Sequence, residues 1–384
     1  MDPIATKAIT LEKLHRLALD NDIAFATYRV PGKTGPVTLL QWTSNPLRFF
    51  DISQLKGQKG FVFAPFDQKS GPPIRIIQPD LIVEGDNFSE PQNRNIIPEE
   101  NGQSSAKNLF MAMTNNYIAD KEEFMEQVKK IKAIISAHTI SKLVLSRTHR
   151  EEKPASFHSA AFFQSLDKAY PEAFVFAVYI PDTGLWLGAT PEPLLLIQDR
   201  KATTVSLAGT RKRESQTNNQ QPWGGKELDE QLIVTRYIED LLQKRNITGF
   251  EKKGPDTFPA GSVEHLKTTF TFPLEELENQ TVEFLKELHP TPSVCGLPKD
   301  VSIELISGME KHRREYYSGF LGPMNMNGEW DIYVNLRSMK AVGKKLEYYM
   351  GAGITAGSEP EKEWEETLNK MNTLKSVVES LKEN

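Results

Sequence analysis

The sequence predicts an α+β fold in which antiparallel sheets are flanked by helices. Predicted strands and helices alternate along the 384 residues without the regular strand–helix–strand spacing of a doubly wound sheet. Apolar residues make up 39% of the chain and charged residues 25%, enough for a large core and a hydrated surface. The chain shows no internal repeat and no linker-like segment. We therefore expect one domain over residues 1–384, with a strand-rich part at 1–114 and a second part at 115–380.

The first part reads as a short helix followed by strands. Apolar spacing predicts an amphipathic helix over 10–20. Apolar segments bounded by turn formers predict the strands that follow. They cover residues 24–30, 37–42, 60–64 and 74–83. Residues 85–107 are polar and lack periodicity, which predicts a loop.

The second part mixes amphipathic helices with apolar strands. Helices are predicted over 120–137, 157–168, 226–243, 281–288, 299–310 and 361–382. Strands are predicted over 142–147, 174–180, 185–188, 193–198, 202–206, 263–272, 316–324, 329–341 and 345–350. A turn is expected at Asp199-Arg200 and a polar loop over 211–225.

Composition argues against several classes of protein. The net charge of −5 and the pI near 5.9 do not favour nucleic-acid binding, which needs basic stripes. Cys295 is the one cysteine, so no internal disulfide is expected and a reducing compartment, the cytoplasm, is indicated. The first twenty residues lack the apolar core of a signal peptide. No apolar run approaches 18 residues, so no membrane span is expected.

The segment 351–370 combines a glycine-rich stretch with a charged helix. Its glycines follow an apolar strand and read as a turn whose backbone N–H groups can approach an anion. The following helix places Glu363, Glu366 and Lys370 on one face, because residues three and four apart are neighbours there. This pattern suits a small anion and a hard cation. A salt-bridged, solvent-exposed helix face is the alternative.

Two titratable residues stand beside apolar strands. Lys142 begins a strand and either reaches the surface or lines a pocket. Glu192 lies between Pro191 and Pro193 at the start of an apolar run. It is either an edge-strand charge or a general acid with a raised pKa.

Helix 226–243 also carries a candidate ligand. Its main apolar stripe is predicted to consist of Leu228, Leu232, Ile238, Leu241 and Leu242, while Glu230 heads a second ridge. A carboxylate on such a ridge needs a partner, and a metal is one solution. Stabilisation of Glu230 by the helix dipole is the alternative.

Three further features complete the set. His265 lies in an alternating strand, where a structural role is the alternative. Arg337 ends a strand and can present its guanidinium to a carboxylate. The proline-rich loop 289–298 contains small residues, including Ser293, that let a ligand approach. Together with the carboxylates, these features suit a magnesium-dependent enzyme that acts on a small dicarboxylate.

An ordered series of short motifs runs through residues 115–380. The series comprises Lys142-Leu-Val-Leu-Ser-Arg147, Ala189-Thr-Pro-Glu-Pro-Leu194, Ser206-Leu-Ala-Gly-Thr-Arg211, Lys226 to Glu230, His265, the loop 289–298, Arg337, Gly351-Ala-Gly-Ile354, and Glu363-Trp-Glu-Glu-Thr367 with Lys370. This series resembles the chorismate-utilising enzymes, which include isochorismate, salicylate, anthranilate and aminodeoxychorismate synthases. The resemblance implies one large domain with two sheets packed face to face, helices outside, and a site at the sheet centre.

The resemblance also implies roles for individual residues. It makes Lys142 the general base that activates water, Glu192 the general acid, and His265 a neighbour of the substrate ring. It implies that Glu230 and Glu366 bind Mg²⁺ and that Glu363 lies at or beside the metal. The positions that it implies for substrate binding are Gly209, Ser293, Val294, Tyr317, Leu336, Arg337, Gly351, Ala352, Gly353 and Lys370.

Individual positions select among the reactions of this family. A lysine at 142 favours water as the nucleophile, so we expect Mg²⁺-dependent conversion of chorismate to isochorismate, for menaquinone or alternatively siderophore synthesis. Ser293 replaces the usual alanine and keeps salicylate synthase as the alternative, whereas an anthranilate-type or a catalytically silent subunit is disfavoured. Asp229 and Gln231 replace the histidines that often flank the metal glutamate. We expect no glutaminase subunit and a monomer or weak homodimer.

Overall fold

The computed structural model describes residues 8–85, 87–89, 117–213, 222–261, 263–277 and 279–382. Its α-helices are α1 (Leu11–Asp20), α2 (Lys121–Ser136), α3 (Ser159–Ala169), α4 (Gly225–Lys244), α5 (Thr281–Leu288), α6 (Lys299–Met309) and α7 (Pro360–Ser380). Short 3-10 helices cover Ile52–Leu55 and Leu274–Leu277. Within these ranges, no helix is long and apolar enough to cross a membrane.

The strands form two nine-stranded antiparallel sheets and one short pair. They are β1 (Ala8–Thr10), β2 (Ala24–Arg29), β3 (Val37–Gln41), β4 (Leu47–Phe49), β5 (Gly60–Ala64), β6 (Ile74–Ile77), β7 (Leu81–Glu84), β8 (Asn87–Ser89), β9 (Lys142–Glu152), β10 (Phe174–Ile180), β11 (Gly184–Thr190), β12 (Pro193–Gln198), β13 (Lys201–Lys212), β14 (Glu251–Ala260), β15 (Val263–Pro273), β16 (Gly296–Leu297), β17 (Phe320–Met326), β18 (Glu329–Val334), β19 (Ser338–Val342) and β20 (Lys345–Ile354). Sheet I has the order β16-β9-β20-β19-β11-β10-β2-β3-β7, and sheet II the order β14-β15-β13-β12-β18-β17-β5-β6-β4. The pair is β1 with β8.

The two sheets pack against each other through an aromatic core. Phe63 on β5 of sheet II packs edge-on against Trp186 on β11 of sheet I. Phe174 on β10 of sheet I stacks on Tyr333 on β18 of sheet II, with ring centroids 4.4 Å apart. These rings belong to one buried cluster that draws residues from both sheets. Large flat side chains fill the space between two pleated surfaces and carry much of the packing energy there.

Helices cover the outer faces of both sheets. On sheet I, α1, α3 and α7 share a buried apolar cluster with β10 and β11. On sheet II, α4 and α5 share another cluster with β12 and β18. The predicted α+β class, with two antiparallel sheets packed face to face and helices outside, is confirmed. Strands from the N-terminal part join both sheets, since β2, β3 and β7 extend sheet I while β4, β5 and β6 extend sheet II.

Two predicted strands are each divided between the sheets. The predicted strand 74–83 is β6 of sheet II followed by β7 of sheet I, and the break includes Pro79, which cannot donate a ladder hydrogen bond. The predicted strand 329–341 is likewise β18 of sheet II followed by β19 of sheet I. Both faces of β6 and most of β18 are buried, so their apolar pattern gives no sign of where the chain leaves sheet II.

Other boundaries also differ from prediction. The strand predicted at 345–350 extends to Ile354, so the glycines expected in a turn lie within β20. Strand β14 and the short β4 were not predicted, because Gly254, Pro255 and Pro259 mask the strand pattern of β14. The strand predicted at 316–324 is observed at Phe320–Met326. The predicted loops 85–107 and 211–225 fall mostly outside the described residues, apart from β8 and the ends of β13 and α4.

Candidate active site

Two adjacent segments connect sheet I with sheet II, and these segments position Glu192 and Arg337. Glu192 lies between β11 and β12, and Arg337 lies between β18 and β19. The Val334 N–H donates to the Glu192 carbonyl at 2.9 Å, and the Ala189 N–H donates to the Arg337 carbonyl at 3.1 Å. The Thr190 hydroxyl donates to the Val334 carbonyl at 2.6 Å. These bonds fix the two side chains next to one cavity.

Most of the predicted site residues line this cavity. Those that do are Glu192, Gly209, Glu230, His265, Ser293, Val294, Tyr317, Leu336, Arg337, Gly351, Gly353 and Lys370. The cavity measures about 50 Å³, room for roughly three or four waters. A larger cavity of about 270 Å³ shares Pro191 and Arg337 with it. The site therefore consists of a small inner cavity next to a larger one.

Lys142 is fully buried and paired with Glu230. Its ammonium lies 3.0 Å from Glu230 Oε1, and its side chain has no exposed surface. The first residue of β9 is thus buried and does not reach the surface, although it is not among the described residues that line the cavity. Glu230 lies on the buried face of α4, whereas Leu228 and Leu232 are 45% and 42% exposed. Of the predicted main stripe, Leu228 and Leu232 are therefore exposed, whereas Ile238, Leu241 and Leu242 are buried on the same face as Glu230.

Glu192 is a buried carboxyl group that favours its protonated form. Burial raises its pKa to about 8, although a hydrogen bond with Ser293 and the charges of Lys142, Lys370 and Arg337 act to lower it. Its Oε1 has no hydrogen-bond partner within the described ranges. The flanking prolines supply no N–H groups that could stabilise the carboxylate. Glu192 can therefore donate a proton near neutral pH.

His265 holds Arg337 in place. Arg337 Nη2 donates to His265 Nε2 at 3.0 Å, so Nδ1 carries the ring proton and donates to the Gly209 carbonyl at 3.0 Å. Burial, together with the charge of Arg337, lowers the pKa of His265 to about 3. The imidazole is thus neutral and acts as a positioning group. The Arg337 guanidinium also donates to Thr373 Oγ1 at 3.2 Å.

The glycines of the 351–354 segment serve a strand and not a turn. Gly351 and Gly353 lie in β20 beyond the end of its pairing with β19, and Lys370 Nζ donates to the Gly351 carbonyl at 2.9 Å. A Cβ at Gly353 would overlap Glu230 Oε1 and lie 3.0 Å from Lys142 Cε. The backbone therefore borders the site closely because these positions lack side chains.

Ala352 is not among the described residues that line the cavity, although its neighbours Gly351 and Gly353 are. It pairs with Leu145 of β9, and its buried side chain packs in the apolar cluster beneath α2 and α6. The reason is the two-residue period of a strand, which turns Ala352 away from the face that Gly351 and Gly353 present.

Gly209 on β13 also lines the cavity. It sits at a bulge of β13 with a φ of +69°, a left-handed conformation that favours glycine. A Cβ there would lie 2.9 Å from the Glu227 carbonyl. The backbones of β13 and α4 therefore approach each other closely at this position.

Three carboxylates of α4 and α7 surround one lysine ammonium. Lys226 Nζ lies 2.9 Å from Glu363 Oε1, 3.8 Å from Glu366 Oε2 and 4.0 Å from Glu230 Oε2. Lys370 also pairs with Glu366, at 2.6 Å. Burial raises the pKa of Glu363, whereas for Glu366 the charges of Lys370 and Lys226 outweigh burial and lower the pKa.

The residue types of this carboxylate cluster fit magnesium. Mg²⁺ takes oxygen ligands and is usually held by one or two carboxylates with waters and substrate. Oε2 of Glu363 is buried and accepts no hydrogen bond from the part of the chain described. Yet among the described residues no three His, Cys, Asp or Glu side chains lie close enough together to hold a metal ion. The cluster of Glu230, Glu363 and Glu366 is instead spread around Lys226.

Sequence reasoning gave Lys226 no role. The signal was present, because Lys226 and Glu230 are four residues apart on one helix. Thr210, Ser318 and Tyr349 also line the cavity without having been predicted. Their positions depend on the bulge of β13 and on the way the two sheets pack, and local sequence patterns reveal neither.

Comparison with known proteins agrees with this architecture. Residues 84–379 match the family described as chorismate binding enzyme. Isochorismate synthase EntC of Escherichia coli is 26% identical over 299 residues, which cover 75% of this chain and 76% of that protein. Anthranilate synthase component 1 of Bacillus pumilus is 28% identical over 279 residues, 70% of this chain and 53% of that protein. MenF, the menaquinone-specific isochorismate synthase of Escherichia coli, superposes with a TM-score of 0.70 at 20% identity, covering 97% of this chain and 94% of that structure.

Together the fold and the site define a chorismate-binding type of enzyme. The family match spans more than half of the chain, and the chain therefore belongs to the chorismate binding enzymes. The structural likeness, at 20% identity, supports the fold alone.

Proposed function

We propose that this protein is an isochorismate synthase, which converts chorismate to isochorismate. The observation that carries the proposal is the pairing of Lys142 with Glu230, which lines the same cavity as Glu192. Lys142 provides a buried amine beside Glu230, and Glu192 provides a buried carboxyl with a pKa of about 8. Adding water at one ring carbon and expelling hydroxide from another needs one base and one acid.

The proposed reaction moves protons between these groups. After it has released a proton to solvent, Lys142 as the neutral amine accepts a proton from water as the water oxygen bonds to C2. The ring double bonds shift, the C4–O bond breaks, and Glu192 donates its proton to the departing hydroxide. One water enters and one leaves, so the atoms balance, and solvent returns the protons to their original groups. Arg337, held by His265, binds a substrate carboxylate.

Magnesium belongs to this proposal as well. Glu230 and Glu366, with Glu363 beside them, would hold Mg²⁺, which would offset substrate carboxylate charge. Engagement of Glu230 there would free Lys142 of its counter-ion. The experiment is incubation of the pure protein with chorismate, with and without Mg²⁺, followed by chromatography of the products. We expect isochorismate only with Mg²⁺, loss of product with EDTA, and no requirement for ammonia. Product formed only with ammonia would contradict the proposal.

A salicylate synthase is the second candidate, and Ser293 favours it. This hydroxyl lies in the cavity wall, where it donates to the Leu207 carbonyl at 3.0 Å and contacts Glu192. Expulsion of pyruvate after isomerisation would give salicylate. A lactate dehydrogenase assay for pyruvate separates the two reactions. Stoichiometric pyruvate together with fluorescent salicylate would replace the isomerase proposal.

The proposal extends to the cellular setting. We favour menaquinone synthesis, with siderophore synthesis as the alternative, in the cytoplasm. The single cysteine, Cys295, is free and buried, which suits a reducing compartment. We further propose a monomer or weak homodimer that acts without a glutaminase subunit, which light scattering of the purified protein can test.

A further inference from the structure

The cation at the centre of the carboxylate cluster is part of the protein itself. Lys226 Nζ contacts carboxylates from two helices, α4 and α7, at 2.9 to 4.0 Å. Each carboxylate has an ammonium nearby, because Lys142 pairs with Glu230, Lys370 with Glu366, and Lys226 with Glu363. The cluster is thus close to electrically balanced before any metal enters.

Magnesium and Lys226 cannot share this position. Mg²⁺ binds oxygen at about 2.0–2.1 Å, so the carboxylate oxygens would have to close in by roughly 1 to 2 Å on a metal placed where Nζ stands. An ammonium at the same point would face a doubly charged ion at close range. We propose that Lys226 is a placeholder cation, which holds the metal carboxylates apart in the free enzyme and has to withdraw when Mg²⁺ binds. This inference rests on the proposed function.

Lys226 is placed so that it can withdraw. Its side chain is 18% exposed, whereas Lys142 has no exposed surface, so a path to solvent exists. Its stem passes Gly357, where even an added Cβ would keep 3.4 Å from the lysine. Lys226 is also the second residue of α4, and a cation in a first helical turn opposes the helix dipole. The carboxylates therefore hold the Lys226 ammonium inside the cluster, although the helix dipole favours its movement towards solvent.

The test is the affinity for Mg²⁺ without chorismate, measured by calorimetry, with Mn²⁺ and electron paramagnetic resonance as a second probe. Lys226→Met keeps the apolar stem and removes the charge. We expect it to bind Mg²⁺ about tenfold or more tightly than the wild type. Lys226→Arg keeps the charge and should bind Mg²⁺ no more tightly than the wild type. Lys129→Met is the matched control, since Lys129 on α2 is 57% exposed and pairs with Glu126 away from the cluster, and its affinity for Mg²⁺ should not change.

Thermal denaturation gives a separate reading. Without metal, Lys226→Met should melt below the wild type, because three carboxylates lose their shared cation, and Mg²⁺ should raise its melting temperature more than that of the wild type. If Lys226→Met does not fold, Lys226→Gln against Lys226→Arg makes the same comparison. Equal or weaker Mg²⁺ binding by the neutral variants would overturn the placeholder role. Failure of the proposed function would instead appear as absence of isochorismate from the wild type, whatever the metal affinities are.

Discussion

At Glu192, three features of the chain act on one carboxyl group. The change from sheet I to sheet II carries it to the cavity, the flanking prolines withhold N–H donors, and burial raises its pKa to about 8. Arg337 opposes this effect with its charge but is itself tied to His265. Glu192 is therefore a protonated carboxyl group close to the buried guanidinium of Arg337.

The proton on Glu192 predicts how activity depends on pH. A group with a pKa of about 8 is protonated below that pH and ionised above it, so kcat should fall as pH rises through about 8. Glu192→Gln should lose about a hundredfold or more in kcat at pH 7. The control is Glu347→Gln, another buried carboxyl with a raised pKa, which should keep the alkaline fall. A kcat profile flat to pH 9.5 would contradict the role of Glu192.

The hydrogen bond between Arg337 and His265 predicts that substitution of His265 changes KM for chorismate more than kcat. His265→Ala removes the acceptor of Arg337 Nη2, so the guanidinium becomes less well placed for a substrate carboxylate. We expect KM for chorismate to rise by about tenfold with a smaller change in kcat. The control His138→Asn changes an exposed histidine of positive φ and should change neither. A loss confined to kcat would indicate that His265 takes part in the chemistry.

Strand β20 and helix α7 show what local sequence patterns convey and what they omit. The helical pattern gave α7 almost to its ends and placed Glu363, Glu366 and Lys370 on one face, since that depends only on spacing. The glycines read as a turn, because the reason for them, Glu230 Oε1 beside Gly353, lies on a distant helix. The missed role of Lys226 has the same origin, as its partners on α7 become visible only in the fold.

The requirement for glycine at position 353 of β20 can be tested by substitution. Gly353→Ala forces a Cβ onto Glu230 and against Lys142, so we expect lower thermal stability and loss of activity. Gly308→Ala is the control, since it lies in α6 with open space around it. That change should leave activity intact and raise stability by about 0.5–1 kcal/mol. Wild-type activity and melting temperature in Gly353→Ala would refute the proposed close approach.

Across the whole molecule, the sandwich and the site depend on the same architecture. Short passages of two or three residues at 78–80, 191–192 and 335–337 are among the places where the chain changes sheet, and the last two carry Glu192 and Arg337. Composition and the alternation of elements were sufficient to predict the fold class. The passages themselves were not predictable in full, because strands buried on both faces show the same apolar pattern in either sheet.

The aromatic core between the sheets predicts how much the free energy of unfolding falls when one of its rings is removed. Phe63 is fully buried and stacks on Tyr316 with ring centroids 4.1 Å apart. Phe63→Ala should lower the free energy of unfolding by about 3–5 kcal/mol, measured by urea denaturation. Phe50 is 68% exposed, and Phe50→Ala should change stability by less than about 0.5 kcal/mol. Equal effects from the two substitutions would contradict the packing described.

The most direct measurement of the central claim follows the oxygen of water. The purified protein is incubated with chorismate and Mg²⁺ in water labelled with ¹⁸O, and the product is analysed by mass spectrometry. If Lys142 activates water for attack at C2, isochorismate should carry one ¹⁸O atom, no pyruvate should form, and Lys142→Ala should yield almost no labelled product. Unlabelled isochorismate, or undiminished labelling by Lys142→Ala, would contradict the account.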